Sequence, residues 1–207
     1  MGNVVLHDYW RSSACYRVRI ALNHLGIPFR TVPVNLLEGG HKTADYLARN
    51  PQGLVPTLEI DGLILTQSLA IIEYLAETRP DAGILPRDPA DRHHVRALSY
   101  AIAMDIHPIC NTHVVAHVVA LTGDQNARQA WMLRFIGQGL ANVERMLDGR
   151  SGRFCCGDQP TMADFCLIPQ VYNARRWGVD LTAFHRILAI EEACLAQAAF
   201  KDAYPME

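Results

Sequence analysis

The sequence predicts a small α/β domain with a mixed sheet at residues 1–82, followed by an all-α helical bundle at residues 88–207. Two observations support this division. Short β-like and helical runs alternate before residue 85, whereas almost every patterned run after it has helical spacing. Between the two parts, the segment DAGILPRDPADR carries Pro86 and Pro89, as is typical of a linker.

The first part begins with a short apolar run and a helix. Residues 4–6 predict a buried strand, and apolar residues at helical spacing follow until Gly26 ends the run. Ser12 or Ser13 is the predicted N-cap, because a serine oxygen can accept an otherwise unpaired amide of the first helical turn. The predicted buried face consists of Ala14, Val18, Ala21, Leu22 and Leu25.

Three further strands and a second helix complete this part. In RTVPVNLL, Pro33 cannot donate to a neighbouring strand, which indicates an edge strand. TADYLARN predicts a weaker helix or a loop, and Pro56 opens the next strand. TLEI and LIL flank Asp61 and Gly62, a dipeptide typical of a two-residue hairpin. SLAIIEYLAETRP predicts a helix capped by Ser68, with a buried face of Leu69, Ile72, Leu75 and Ala76.

The predicted order is therefore β-α-β-(α)-β-β-α. A helix between the first two strands implies that they are parallel and joined by a right-handed crossover. The closing hairpin is antiparallel, so the sheet is mixed.

Helices dominate the second part. One is expected from about residue 88, with Pro108 kinking or interrupting it. NARQAWMLRFIGQGLANVERML predicts another, and Thr161 with Asp164 forms a capping-box variant at the start of the next. A last helix is predicted at residues 184–200. The inward residues expected in the second of these helices are Trp131, Phe135 and Leu140.

Composition excludes several kinds of partner. Nineteen basic and 21 acidic residues give a formal charge of −2, so no basic field is available for nucleic acid or an anionic membrane. No run approaches the ~20 apolar residues of a membrane span, and MGNVVLHDYW has no apolar signal core. We therefore expect a cytoplasmic protein. Local arginines and backbone amides must hold any anionic ligand.

Cysteine and histidine spacing predicts no metal site. The six cysteines show no zinc-type spacing, and none of the nine histidines forms an HExxH pair. We expect free thiols in a reducing compartment. The adjacent pair Cys155 and Cys156 receives no functional interpretation and is expected to pack.

Two helix starts could hold anions. A strand end, a serine pair and a helix N-terminus bring together free amides, hydroxyls and the positive end of a helix dipole. Arg11 precedes the serines, although an ordinary serine cap is the commoner explanation of such a pattern. Gln67 and Ser68 form a second such start. Pro56 lies in the sequence between the two helix starts. This pattern suits an elongated ligand with an anionic group at each end.

Six segments together resemble the zeta class of glutathione transferases: WRSSACYRVRIAL, NPQGLVPTLEIDG, LTQSLAIIEYLAETRP, DIHPICN, GDQPTMADFCLIPQV and ARRWGVDL. Within that class the nearest relatives are the maleylacetoacetate and maleylpyruvate isomerases. The resemblance implies a thioredoxin-like N-terminal domain, an all-α C-terminal domain, a homodimer and glutathione as cofactor. It also implies cis-trans isomerisation of a keto acid in aromatic catabolism, by thiolate addition to the cis double bond.

The resemblance assigns Ser12 as the principal donor to the glutathione thiolate, with Ser13 as second choice. One serine capping the helix while the other binds sulfur is a plausible division. Relatives often carry Cys or Thr where this chain has Ala14, so no side-chain contact to the thiolate is expected from this position. Cys15 does not occupy the corresponding position and is expected to be structural.

Other glutathione contacts follow from the same resemblance. Val55 should pair through its backbone with the cysteinyl part of glutathione, provided that the peptide to Pro56 is cis. Gln67 and Ser68 should hold the γ-glutamyl carboxylate. His107 and Asn111 lie in the segment that lines the site in relatives, although a packed histidine is commoner.

The substrate carboxylates require cations. Arg176 corresponds to the family's substrate-carboxylate arginine and Arg11 is the other candidate, since guanidinium suits bidentate carboxylate contact. Arg175 should face elsewhere. Thr112 and His113 stand where maleylpyruvate-type relatives have two arginines, which favours maleylacetoacetate as the substrate.

Two alternatives stay open. The chain could be a glutathione transferase that conjugates or dehalogenates small electrophiles at the same thiolate site. It could also be a non-catalytic interaction protein on the same fold, which need not keep the serines or bind glutathione.

Overall fold

A computed structural model describes residues 4–206, so residues 1–3 and Glu207 of the two predicted domains lie outside the described residues. The described residues form two compact units, one of residues 4–82 with 196–206 and one of residues 83–195. A boundary between residues 82 and 88 remains our proposal. The end of the chain differs from the sequence prediction, because residues 196–206 belong with the first unit and not with the helical one.

The sheet of the first unit has four strands: β1 (Val5–Asp8), β2 (Arg30–Pro33), β3 (Thr57–Ile60) and β4 (Leu63–Thr66). Their order is β2-β1-β3-β4, with β1 parallel to β2 and antiparallel to β3. The predicted mixed sheet is confirmed, and Pro33 lies on an edge strand. The hairpin is also confirmed: Asp61 and Gly62 have φ of 54° and 77°, as a type I′ turn requires.

Helices α1 (Ser13–His24), α2 (Ala44–Leu47), α3 (Ser68–Thr78) and α9 (Ala198–Lys201) complete this unit. Helix α1 is buried on more than the one predicted stripe, from Cys15 through Leu22. The reason is that both α3 and α9 pack on it. The polar residues buried within α1 include Arg17 and Arg19.

The second unit contains α4 (Pro89–Tyr100), α5 (Thr112–Thr122), α6 (Ala127–Met146), α7 (Met162–Trp177) and α8 (His185–Leu195). A π-helical segment, Ala101–Ile106, continues α4 and ends just before His107 and Pro108. Gly139 of α6 makes room for this segment, because a Cβ there would lie 2.4 Å from Ile106. The interruption expected near Pro108 therefore begins earlier in the chain, at Ala101.

Two helix predictions need correction. Of the three inward residues predicted in α6, Leu140 is fully buried, whereas Trp131 and Phe135 are half-buried. Their ring centroids lie 4.4 Å apart, with the ring planes tilted by 49°. The helix predicted at residues 184–200 is broken into α8 and α9. Gln197 adopts extended backbone angles, φ −91° and ψ 141°, and starts the second piece.

The capping box at α7 is confirmed. The Thr161 backbone amide donates to Asp164 Oδ2 at 2.8 Å and the Thr161 hydroxyl lies at 3.0 Å from the same oxygen. The Cys155 amide donates to the other oxygen at 2.9 Å. Among the helices of residues 4–206, none combines the length and apolar character needed to cross a membrane.

Candidate active site

Three loops of the first unit lie at one edge of the sheet. Thr57 is the first residue of β3, and it pairs with His7 near the end of β1. On its other side, Thr57 pairs with Thr66, the last residue of β4. The segments that follow β1, precede β3 and follow β4 therefore meet at this edge. The predicted site residues in those segments are Arg11, Ser12, Ser13, Val55, Pro56, Gln67 and Ser68.

Ser12 is the N-cap of α1. Its backbone amide donates to the Tyr9 carbonyl at 2.8 Å, which closes a turn after β1. Its side-chain oxygen accepts a hydrogen bond from the Cys15 amide at 3.3 Å. A hydroxyl has one hydrogen to donate and two lone pairs to accept with. The cap uses only one lone pair, so the Ser12 hydrogen can still be donated to an anion.

Ser13 does not take the capping role that the sequence left open to it. It is the first residue of α1 and is 8 % exposed. A cap formed by Ser13 is therefore wrong, and the choice of Ser12 as the residue that binds sulfur stays a prediction. Ser12 alone combines the cap with a hydroxyl at the mouth of the helix.

Cys15 lies beside Ser12 but is not a candidate nucleophile. Its side chain is fully buried, and its sulfur accepts from the Tyr9 amide at 3.5 Å. Burial, with a smaller effect of the Asp8 carboxylate, raises the pKa of Cys15 well above the ordinary range. The thiol stays protonated at neutral pH, in agreement with a structural role.

Gln67 holds a strained backbone conformation. Its φ of 66° and ψ of 111° lie in a region that residues other than glycine rarely adopt, at a cost of about 1–3 kcal/mol. Its side-chain nitrogen donates to Gln52 Oε1 at 2.7 Å. Strain of this kind persists only where the surrounding structure imposes it, and it is concentrated at ligand-binding sites.

Ser68 is the first residue of α3, and Gln67 occupies the N-cap position without a side-chain capping bond. The predicted Ser68 cap is therefore wrong. Instead, Arg17 Nη1 donates to Ser68 Oγ at 3.2 Å, and both residues are buried. A guanidinium only donates, so the Ser68 hydroxyl hydrogen is available to another acceptor.

Sequence reasoning did not find Arg17. The available signal was a charged residue in the middle of a helix whose neighbours are apolar. The partner could not be inferred, because Ser68 lies 51 positions further along the chain.

The Val55-Pro56 peptide is cis, as the resemblance required. The carbonyl of the preceding residue, Leu54, accepts hydrogen bonds from Tyr46 and Asn50. Neither residue was predicted as part of a site. Nothing in a single sequence indicates that their side chains turn toward this loop.

Arg11 lies in the turn that ends at Ser12. Its guanidinium carbon is 5.3 Å from the centroid of the Trp10 ring and 6.0 Å from that of Tyr9. Its Nη2 donates to the Tyr9 hydroxyl at 3.3 Å. The two rings hold this half-exposed cation next to Ser12 in sequence and space.

In the second unit, His107 and Asn111 flank the helix break. His107 follows the π-helical segment, and its backbone amide donates to the Ile102 carbonyl at 3.0 Å. The Asn111 side-chain oxygen caps α5 by accepting from the Thr112 amide at 2.8 Å. The Asn111 amide nitrogen carries the remaining donors of that side chain.

The two adjacent arginines at the end of α7 have different surroundings. Arg175 Nε donates to Glu191 of α8 at 3.0 Å. Arg176 Nη1 donates to Asn173 at 3.3 Å, and its guanidinium lies 6.0 Å from the Tyr172 ring centroid. Arg175 thus joins α7 to α8, and the assignment of Arg176 to the substrate carboxylate stays a prediction.

A strand-end serine, a cis-proline loop and a second polar helix start on one mixed sheet are the features that the resemblance to glutathione transferases predicted. Two family models match the chain, the glutathione S-transferase N-terminal domain at residues 11–78 and the C-terminal domain at residues 127–205. The chain belongs to the glutathione S-transferase family, and within it to the zeta class of maleylacetoacetate and maleylpyruvate isomerases.

Three individual relatives show how similar this chain is to known members of the class. The chain is 64 % identical over 206 residues to maleylacetoacetate isomerase of Rhizobium meliloti, covering 99 % of this chain and 97 % of that protein. A zeta-class maleylpyruvate isomerase in its holo form superposes with a TM-score of 0.93 at 41 % identity, covering 97 % and 96 %. Maleylacetoacetate isomerase of Methylobacterium extorquens AM1, solved with malonate and glutathione, has a TM-score of 0.93 at 38 % identity, covering 97 % and 96 %.

Proposed function

We propose that the protein is a glutathione-dependent cis-trans isomerase that converts maleylacetoacetate to its fumaryl isomer in the catabolism of aromatic amino acids. The observation that carries the proposal is Ser12, a helix cap whose hydroxyl hydrogen is not used by the cap. Relatives at 64 % and 38 % identity bear the name maleylacetoacetate isomerase, and the second was solved with glutathione bound.

The residues present fit glutathione. The tripeptide carries a thiol and two terminal carboxylates, and this edge of the sheet offers donors for each kind of group. Ser12 would hold the sulfur, and the Val55 backbone would pair with the cysteinyl residue. Gln67 and Ser68, at the positive end of the α3 dipole, would hold the γ-glutamyl carboxylate.

Ser12 contributes by favouring the charged form of sulfur. A free thiol has a pKa of ~8.5, so little of it is ionised at neutral pH. Lowering that pKa by one to two units needs about 1.4–2.7 kcal/mol, which a hydroxyl donor and a helix N-terminus together can supply. Bound glutathione supplies a thiolate that adds to the cis double bond, permits rotation about the resulting single bond and then leaves.

Arginines orient the substrate. Arg176 and Arg11 would bind its carboxylates, whereas His107 and Asn111 would contact glutathione. Thr112 and His113 favour maleylacetoacetate over maleylpyruvate, as does the name of the 64 % identical relative. The Methylobacterium relative was solved with bound glutathione and bound malonate, which is a dicarboxylate.

The test is an assay of both keto acids with a catalytic amount of glutathione. We expect the fumaryl isomer of maleylacetoacetate to form while the glutathione concentration stays constant. Stoichiometric loss of glutathione would show conjugation instead. Turnover of an aryl halide or an α-halo acid, with neither keto acid isomerised, would overturn the proposal in favour of a general transferase.

We also propose a homodimer in the reducing cytoplasm. The localisation rests on the six cysteines, all of which are free thiols, five of them buried. Light scattering coupled to size-exclusion chromatography tests the dimer. A mass of one chain at micromolar concentration would contradict it.

A further inference from the structure

The loop before β3 is held from the inside by two buried side chains. The Tyr46 hydroxyl donates to the Leu54 carbonyl at 2.7 Å, and Asn50 Nδ2 donates to the same oxygen at 2.7 Å. Tyr46 is 5 % exposed and Asn50 is 2 % exposed. Two short bonds occupy both lone pairs of the carbonyl oxygen, so they fix its direction.

A third residue supports this clamp. Thr57 Oγ1 lies 3.0 Å from the Tyr46 hydroxyl, and Thr57 is fully buried at the start of β3. Tyr46 has one hydroxyl hydrogen, which goes to Leu54, so Thr57 must donate to Tyr46. Such a chain of hydrogen bonds strengthens each member. Burial raises the pKa of Tyr46, so the hydroxyl remains a donor at physiological pH.

The clamp also sets the direction of an amide hydrogen. The Leu54 carbonyl and the Val55 N–H belong to one planar peptide unit, and in a trans peptide they point in opposite directions. Because the carbonyl points inward at Tyr46 and Asn50, the N–H points away from them. Within residues 4–206, no protein group accepts a hydrogen bond from this N–H.

We propose that Tyr46 is a positioning residue for glutathione, aiming the Val55 N–H, with the help of Asn50, at the peptide backbone of the ligand. This inference rests on the proposed function, since it takes glutathione as the ligand of that loop. Hydrogen bonds to the carbonyl polarise the peptide unit and make its N–H a better donor. Tyr46 touches neither glutathione nor substrate in this scheme; it acts through the Leu54-Val55 peptide.

The test is Tyr46→Phe, which removes only the hydroxyl. Calorimetric titration should show about a 3- to 10-fold rise in the Kd for glutathione, the loss expected for one hydrogen bond. An analogue whose cysteinyl carbonyl is reduced to a methylene lacks the acceptor, so its Kd should be the same for both proteins. The KM for glutathione should rise with kcat unchanged, because the lost interaction is made equally before and during the reaction.

Tyr74→Phe is the matched control. Tyr74 lies on α3 of the same unit, and its hydroxyl donates to Asp61 at 2.9 Å. Asp61 is in the turn between β3 and β4, at the end of these strands opposite the candidate site. This variant should bind glutathione as the unchanged protein does. Thermal unfolding of both variants reports whether the fold is kept.

Thr57→Val is a second variant, which removes the donor to Tyr46 but keeps the bond to Leu54. It should weaken glutathione binding in the same direction and by less. Unchanged glutathione affinity in Tyr46→Phe and Thr57→Val would overturn the inference. An equal loss of affinity for glutathione and for the reduced analogue would also overturn it, because that result indicates general damage. If the unchanged protein does not bind glutathione, the proposed function fails first.

Discussion

In the proposed function, Ser12 performs two tasks that require different parts of one hydroxyl. The oxygen satisfies the Cys15 amide, and the hydrogen is left for the sulfur anion that we propose. Both tasks follow from its place at the N-terminus of α1, where amide donors are unpaired and the helix dipole is positive. A residue that only capped the helix could be any short polar side chain. A residue that also donates must carry a hydrogen that the cap does not use, as Ser, Thr and Asn do.

Replacing Ser12 with alanine should therefore affect catalysis far more than stability. We expect Ser12→Ala to lower turnover about 100-fold or more, the usual effect of removing one preorganised donor to an anion. The ultraviolet absorbance of bound thiolate should disappear at neutral pH. The loss of the cap should lower the free energy of unfolding by about 1 kcal/mol. Steady-state kinetics, difference absorbance and urea denaturation measure these three quantities.

Asp88→Ala is the control for capping alone. Asp88 caps α4 by accepting from the amides of Ala90 and Asp91 at 2.9 and 3.0 Å. Its loss should reduce stability by about the same 1 kcal/mol with turnover unchanged. If Ser12→Ala behaves like this control in all three measurements, Ser12 is only a cap and the thiolate has another donor.

The sequence identified the serine pair but not which of the two serines caps α1. A cap preference is local, so one of two adjacent serines could be predicted at the start of α1. The start of α3 depends on more distant structure. Gln67 holds a positive φ and bonds to Gln52, and Arg17 reaches Ser68 from another helix. These contacts are tertiary, so local preference pointed to a Ser68 cap that does not form.

At the scale of elements, β1 and β3 are joined by a pH-dependent contact across the sheet. His7 Nε2 and Glu59 Oε1 are 2.7 Å apart, and Arg49 Nε lies 3.5 Å from the same oxygen. The hydrogen bond from His7 lowers the pKa of Glu59 below its ordinary 4.5. The unfolded chain thus takes up this proton at a higher pH than the folded one. The stabilisation is complete above pH 4.5 and is lost as the pH falls further.

We therefore expect Glu59→Gln to reduce the acid sensitivity of the fold. Its free energy of unfolding should be lower than that of the unchanged protein near neutral pH, and the two values should converge as the pH falls below 4.5. Urea denaturation at a series of pH values gives both curves. Glu38→Gln, at an exposed loop position, removes the same charge as a control. Parallel curves for Glu59→Gln and the unchanged protein would refute the coupling.

The start of α7 depends on one buried carboxylate. Asp164 is fully buried and accepts from the backbone amides of Thr161 and Cys155. Asp164→Ala leaves these two buried amides and the Thr161 hydroxyl without their acceptor, so we expect a loss of about 3 kcal/mol or more from the free energy of unfolding. Asp180→Ala is the matched control, because Asp180 accepts from the Thr182 amide at 2.9 Å but is exposed. Its urea midpoint should barely change, and equal losses in both variants would contradict this account.

Elements with local causes were predictable, and those with distant causes were not. The Asp61-Gly62 turn and the Thr161-Asp164 box are encoded in two to four adjacent residues, and both are confirmed. The π-helical segment ending at Ile106 could not be predicted. It depends on the space that Gly139 leaves on another helix. A helical period in the sequence does not distinguish an α-helix from a single π-helical stretch.

At the scale of the whole molecule, the end of the chain completes the unit with which the chain begins. Arg19 donates to both oxygens of Asp8 at 2.8 and 2.9 Å, to the Trp10 carbonyl and to the Ala203 carbonyl. One buried guanidinium thus joins β1, the turn before Ser12 and the final segment. The sequence could not indicate this return, because residues 184–200 have a continuous helical pattern and the partners are more than 180 positions apart.

The last prediction concerns this returning segment. Phe200 of α9 is fully buried, and α9 packs on α1. We expect Phe200→Ala to lower the free energy of unfolding by about 3–5 kcal/mol, as for other buried phenylalanines, and to weaken glutathione binding at temperatures near the unfolding midpoint. Leu121→Ala, at a position 73 % exposed, removes a large apolar side chain without a cavity and should change little. If Phe200→Ala is as mild as this control, residues 196–206 cover α1 without stabilising it. In that case, a protein ending at Leu195 should bind glutathione with the affinity of the whole chain. If residues 196–206 stabilise the unit as we expect, the same shortened protein should unfold.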